Sequence, residues 1–66
     1  MHRQIERLVT EMVDNGIRYA DAACEFERRF LARALERSQG SITRCAELTG
    51  LHRNTLTRKI TEYKLK

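Results

Sequence analysis

The 66-residue chain contains no proline and no tryptophan, and only three glycines, two cysteines and four other aromatic residues. Without proline, nothing forces a break inside a helix. The two cysteines, Cys24 and Cys45, are far apart and form no Cys-x-x-Cys pair. His2 and His52 do not complete a tight four-ligand cluster, so neither a zinc site nor a disulfide framework is indicated. No apolar run is long enough to span a membrane, and no signal-peptide pattern opens the chain. These features lead to the expectation of a cytoplasmic protein. No glycine-rich phosphate loop, paired-carboxylate cleft or nucleophile–base pair can be assembled. A chain this short also has little room for a deep pocket, so catalysis, cofactors and small-molecule substrates are not expected.

What is present is a chain rich in Arg, Glu, Leu and Ala, which favours an all-helical single domain over residues 1–66. So short a chain buries little surface alone, and a partner subunit is the expected stabiliser. Charge is unevenly spread. Residues 1–40 carry seven basic and seven acidic side chains, whereas residues 41–66 carry six basic and two acidic ones. The whole net charge of +4 therefore sits in the last 26 residues. A neutral scaffold followed by a polyanion-binding part fits that asymmetry.

Ile5, Leu8, Val9, Met12 and Val13 follow helical spacing and predict a first amphipathic helix over residues 3–14, stopped by Asn15-Gly16. A second helix is predicted from Tyr19 to Ser38. One apolar stripe on it runs through Phe26, Phe30 and Ala34, led by Tyr19, Ala22 and Ala23, and an adjacent one through Cys24, Leu31 and Leu35. That surface is wider than one short neighbouring helix covers. It places Ile5, Leu8, Val9, Met12, Phe26, Phe30 and Leu31 at a homodimer interface, with residues 1–38 as the dimerisation unit. The alternative is that the two C-terminal helices cover all of it.

Two short helices follow. The first, Ile42 to Leu48, starts after a potential cap at Ser41 and turns Ile42, Cys45, Ala46 and Leu48 inward. The turn Thr49-Gly50-Leu51 leads to the second, Arg53 to Tyr63, with Leu56, Ile60 and Tyr63 as its seam. Residues 41–65 thus describe a helix-turn-helix. Asn54 and Arg58 lie opposite the seam, flanked by Thr55, Thr57 and Thr61, on a face suited to reading base edges. Arg53, in the first turn, can fork onto guanine O6 and N7. His52 suits a cap, a DNA contact, or both. Ser41, Thr43 and Arg44 are placed for phosphates, and Lys59, Lys64 and Lys66 for general backbone electrostatics.

The stretch FERRFLARALERSQGSITRCAELTGLHRNTLTRKITEYKL strongly resembles the Fis-type helix-turn-helix. This domain occurs in the nucleoid protein Fis and at the C-terminus of NtrC-like, enhancer-binding transcription activators. The resemblance covers roughly residues 19–65, and GSITRCAELTGLHRNTLTRKI is its most specific segment. It implies a four-helix, all-α subunit whose first two helices interlock with those of a second copy. The symmetric dimer so formed presents two reading helices to an inverted repeat in double-stranded DNA. It also places Ser41 and Thr43 at phosphates, and His52, Arg53, Thr55 and Arg58 at DNA. Three departures stand out. Residues 1–18 match only as an amphipathic helix, Cys45 replaces a frequent alanine, and Lys64 stands where glycine is common, so the last turn is expected to end differently. Thr57, Thr61 and Glu62 make the last helix less basic than that of the nucleoid protein. This favours a promoter-specific regulator over a stand-alone architectural protein that bends DNA. A pure protein-interaction module is the reading from a different class.

Overall fold

The computed structural model describes residues 2–65. Four helices follow one another: α1 (His2–Asp14), α2 (Tyr19–Arg37), α3 (Ile42–Thr49) and α4 (Arg53–Glu62). No strand occurs among the described residues. The helix boundaries agree with the sequence pattern to within a residue at each end.

Three of the helices end in the same way. After α1, the N–H of Ile17 donates to the Met12 carbonyl and that of Gly16 to Val13. After α2, Gly40 donates to Leu35 and Gln39 to Glu36. After α4, Leu65 donates to Ile60 and Lys64 to Thr61. Each is a Schellman closure, which needs one left-handed residue to turn the chain back over its last carbonyls. Gly16 takes that conformation at φ 72°, but Gln39 and Lys64 also adopt it, at φ 54° and 56°. The expectation that the last turn ends differently for want of glycine is therefore corrected. Lys64 takes up the backbone shape a glycine would have taken, and Leu65 folds back against the core.

Leu31, Ala34 and Leu35 of α2, Cys45 of α3, and Leu56 and Ile60 of α4 form the core, with Ile42, Ala46, Leu51, Tyr63 and Leu65 packed around it. Helix α3 packs against both α2 and α4. Cys45 is wholly buried at its centre, and Cys24 is exposed on α2. Two expected placements are corrected here. Leu31, expected at a homodimer interface, is only 2% exposed and lies in the core of the chain. Leu48, expected to face inward, is 60% exposed. It lies three residues beyond Cys45, and with Cys45 and Ala46 turned to the core, Leu48 falls beyond the edge of that face.

Helix α1 buries none of its residues. Ile5, Leu8, Val9 and Val13 are each roughly half exposed or more. So are Phe26 and Phe30 on α2, whose rings lie 5.5 Å apart in a tilted pair. The two C-terminal helices therefore cover only one side of α2 and leave the phenylalanine side bare. Leu8 and Met12 of α1 line an open cleft together with Phe26 and Phe30. The radius of gyration is 13.3 Å, against about 11 Å for a compact domain of this length.

Candidate nucleic-acid interface

The turn between α3 and α4 is built from short-range bonds. The Thr49 hydroxyl donates to the Cys45 carbonyl at 2.8 Å and accepts from the Leu51 N–H at 3.3 Å. Gly50 stands between them at φ 79°, a left-handed position that costs an L-residue about 1–2 kcal/mol. Its N–H donates to Ala46 at 2.9 Å, closing α3, so that α4 starts in a new direction three residues later.

Both helices of the pair are capped by side chains. The Ser41 hydroxyl accepts from the Arg44 N–H at 3.2 Å. The His52 ring accepts from the Asn54 N–H through Nδ1 at 3.1 Å. With Nδ1 so engaged, the neutral ring carries its proton on Nε2, leaving that edge as the donor for an outside acceptor. The remaining orphan N–H groups and the helix dipole make each of these ends a favourable place for a phosphate.

Leu56 and Ile60 are buried, which fixes α4 about its own axis. His52 and Arg53, at the helix start and close to the buried seam, are exposed, and so are Asn54, Thr57, Arg58 and Thr61 on or beside the outward side. Thr55 is half-buried at its edge, and Thr43 and Arg44 are exposed on the first turn of α3. Arg58 stands 3.7 Å from Glu62 with both side chains more than half exposed, a contact too loose and too solvated to hold the guanidinium. The structure thus brings Ser41, Thr43 and Arg44 to one helix start, and His52, Arg53, Asn54 and Thr55 to the other, with Arg58 one turn further along α4.

Lys59 differs from that group. Its ammonium lies 2.8 Å from Glu27 Oε2, and its side chain is 21% exposed. The sequence expects Lys59 to serve the DNA backbone through general electrostatics; in this fold its charge is met by an acid from α2. The other oxygen of the same carboxylate accepts from the Tyr63 hydroxyl. Lys59 above all, and then Tyr63, hold the Glu27 carboxyl below its ordinary range, while the same bond pushes the Tyr63 phenol upward. Glu27 is a residue that sequence reasoning missed. Its partners lie 32 and 36 positions further on, and no local pattern links them. By contrast, Glu25 and Arg29, four residues apart on one helix, pair at 2.7 Å, joined by Arg28 at 2.6 Å, and the two guanidinium groups lower the Glu25 pKa.

Paired short helices, a left-handed glycine between them and an exposed polar second helix define a helix-turn-helix, and the family comparison agrees. The model of the Fis family of bacterial regulatory proteins matches residues 24–63, from the first half of α2 to the residue that closes α4. This chain belongs to that family. Its family is one of DNA-binding regulators, and the matched span contains every residue assigned above to the second helix of the pair. No curated protein and no solved structure matches the chain. No helix among the described residues is long and apolar enough to cross a membrane.

Proposed function

We propose that the chain is the DNA-binding domain of an NtrC-like bacterial transcription activator, acting in the cytoplasm at the nucleoid. It binds double-stranded DNA as a homodimer, one subunit to each half of an inverted repeat. The observation that carries this reading is the outward face of α4. Its first turn offers a capped, directed His52 and an exposed Arg53 and Asn54, with Arg58 one turn further on. An α-helix fits the major groove with its N-terminal residues at base edges, and two α4 helices related by a twofold axis match an inverted repeat.

In this reading Arg53 is the base reader, forking onto a guanine, while Asn54, Thr55 and Arg58 complete the face. Ser41, Thr43 and Arg44 take phosphates at the start of α3 and fix the register. Ile5, Leu8, Val9, Met12, Phe26 and Phe30 form the dimer surface. The roles are those of a binding domain, with no catalytic step. The neutral threonines and Glu62 on α4 support selective reading over the sequence-tolerant grip of an architectural protein.

Fluorescence-anisotropy titrations of wild type, Arg53→Ala and Arg53→Lys against promoter and mixed-sequence duplexes test the proposal. Wild type should prefer certain promoter duplexes, and both variants should lose about 1–3 kcal/mol of that preference, because lysine cannot fork onto guanine. Equal binding of all three proteins to every duplex would favour the architectural reading. Absence of binding even at low salt would leave the interaction module.

A further inference from the structure

The Glu27–Lys59–Tyr63 contact joins the scaffold to the reading helix. Tyr63, the residue that closes α4, lies one helical turn beyond Lys59, and both point towards α2. Each takes one oxygen of the Glu27 carboxylate. Every other ion pair among the described residues runs within one helix. Lys59 is also the most enclosed member of those pairs, with a side chain 21% exposed. A lysine in the middle of a DNA-reading helix would ordinarily serve as a phosphate contact. Here its charge is already neutralised from the rear.

We propose that Glu27 acts as an internal counter-anion that keeps Lys59 off the DNA backbone while tying α4 to α2. It is a positioning residue, acting through Lys59 and Tyr63 without touching DNA. The consequence is a specificity device. Phosphate contacts strengthen binding to all sequences alike, whereas base contacts discriminate among them. Removing one phosphate contact from α4 leaves a larger share of the affinity to Arg53 and its neighbours. This inference rests on the DNA-binding reading above.

The salt dependence of binding to a mixed-sequence duplex tests it, because each phosphate neutralised adds about 0.9 to the slope of log K against log salt. Glu27→Gln should bind more tightly than wild type at low salt, with a slope steeper by about 0.9. Its advantage should shrink about 3.5-fold for a fourfold rise in salt. Lys59→Gln, which keeps the Glu27 carboxylate, should leave the slope at the wild-type value, and so should the double variant. Circular dichroism checks that each variant is folded, and Lys59→Gln decides the matter even where Glu27→Gln does not fold. If Lys59→Gln lowers the wild-type slope by about 0.9, Lys59 already holds a phosphate and the inference is overturned. Failure of wild type to bind the duplex at low salt would instead overturn the DNA-binding reading itself.

Discussion

At the scale of single residues, His52 combines two roles that other side chains separate. Its Nδ1 caps α4 by accepting from Asn54, and Nε2 remains as a donor on the exposed side. Serine or aspartate would cap as well but would reach less far from the helix end. The two roles can be split. His52→Asn should keep the cap, leave thermal stability close to wild type and weaken DNA binding. His52→Ala should lose the cap too, costing about 1 kcal/mol of stability. Thermal melts and anisotropy on the two variants check this. Equal DNA binding by His52→Asn and wild type would confine His52 to capping. Arg53 has no such structural duty: it is exposed, with no side-chain bond assigned to it, which leaves its guanidinium available to a base.

At the scale of elements, the departure at Lys64 has an energetic sign. The Schellman bonds after α4 force Lys64 to φ 56°, where a side chain is disfavoured, yet Leu65 needs that turn to reach the core. Lys64→Gly relieves about 1–2 kcal/mol of left-handed cost. The freer glycine loses more entropy on folding, about 0.5–1 kcal/mol. The variant should therefore be more stable by about 0.5–1 kcal/mol in urea unfolding, with an unchanged dependence on denaturant; a less stable variant would mean that the lysine stem contributes packing. Most elements were legible because their signals are local: apolar spacing for the helices, Ser41 and His52 before helix starts, Gly16 and Gly50 at reversals. Spacing set Asn54 and Arg58 on the outward face of α4, and the family resemblance added the expectation that His52, Arg53 and Thr55 join Arg58 at DNA. Local signals failed where a residue of one element is answered by another. Lys59 looks like a free cation until the fold brings Glu27 to it, and Leu31 looks like interface until α3 and α4 cover it. Gln39 and Lys64 failed differently, since neither residue advertises a left-handed turn. Tertiary anchoring of Leu65 accompanies that turn at Lys64, and Gly40 completes the closure at Gln39.

At the scale of the whole molecule, the core holds only six buried apolar residues among the described ones, while a comparable set lies bare. The bare set is not scattered: Ile5, Leu8, Val9 and Val13 follow one side of α1, and Phe26 and Phe30 stand across a cleft from Leu8 and Met12. Contiguous apolar surface of this kind marks an interaction site, and burial against a second copy would offset the small core. If so, stability and association are one equilibrium, and the melting temperature must rise with protein concentration. Ile5→Asp and Phe30→Asp place a carboxylate in that surface and should each convert a dimer to monomer in analytical ultracentrifugation. Melting should then occur at a lower temperature that no longer depends on concentration. Thr10→Asp, on the far side of α1 from the apolar stripe, should change none of these. DNA binding should weaken in the same two variants, because two half-sites are then engaged by unlinked subunits and the gain in effective concentration is lost. A wild type that sediments as a monomer, melts independently of concentration and binds DNA as tightly as Phe30→Asp would remove the homodimer and leave the apolar face to some other partner.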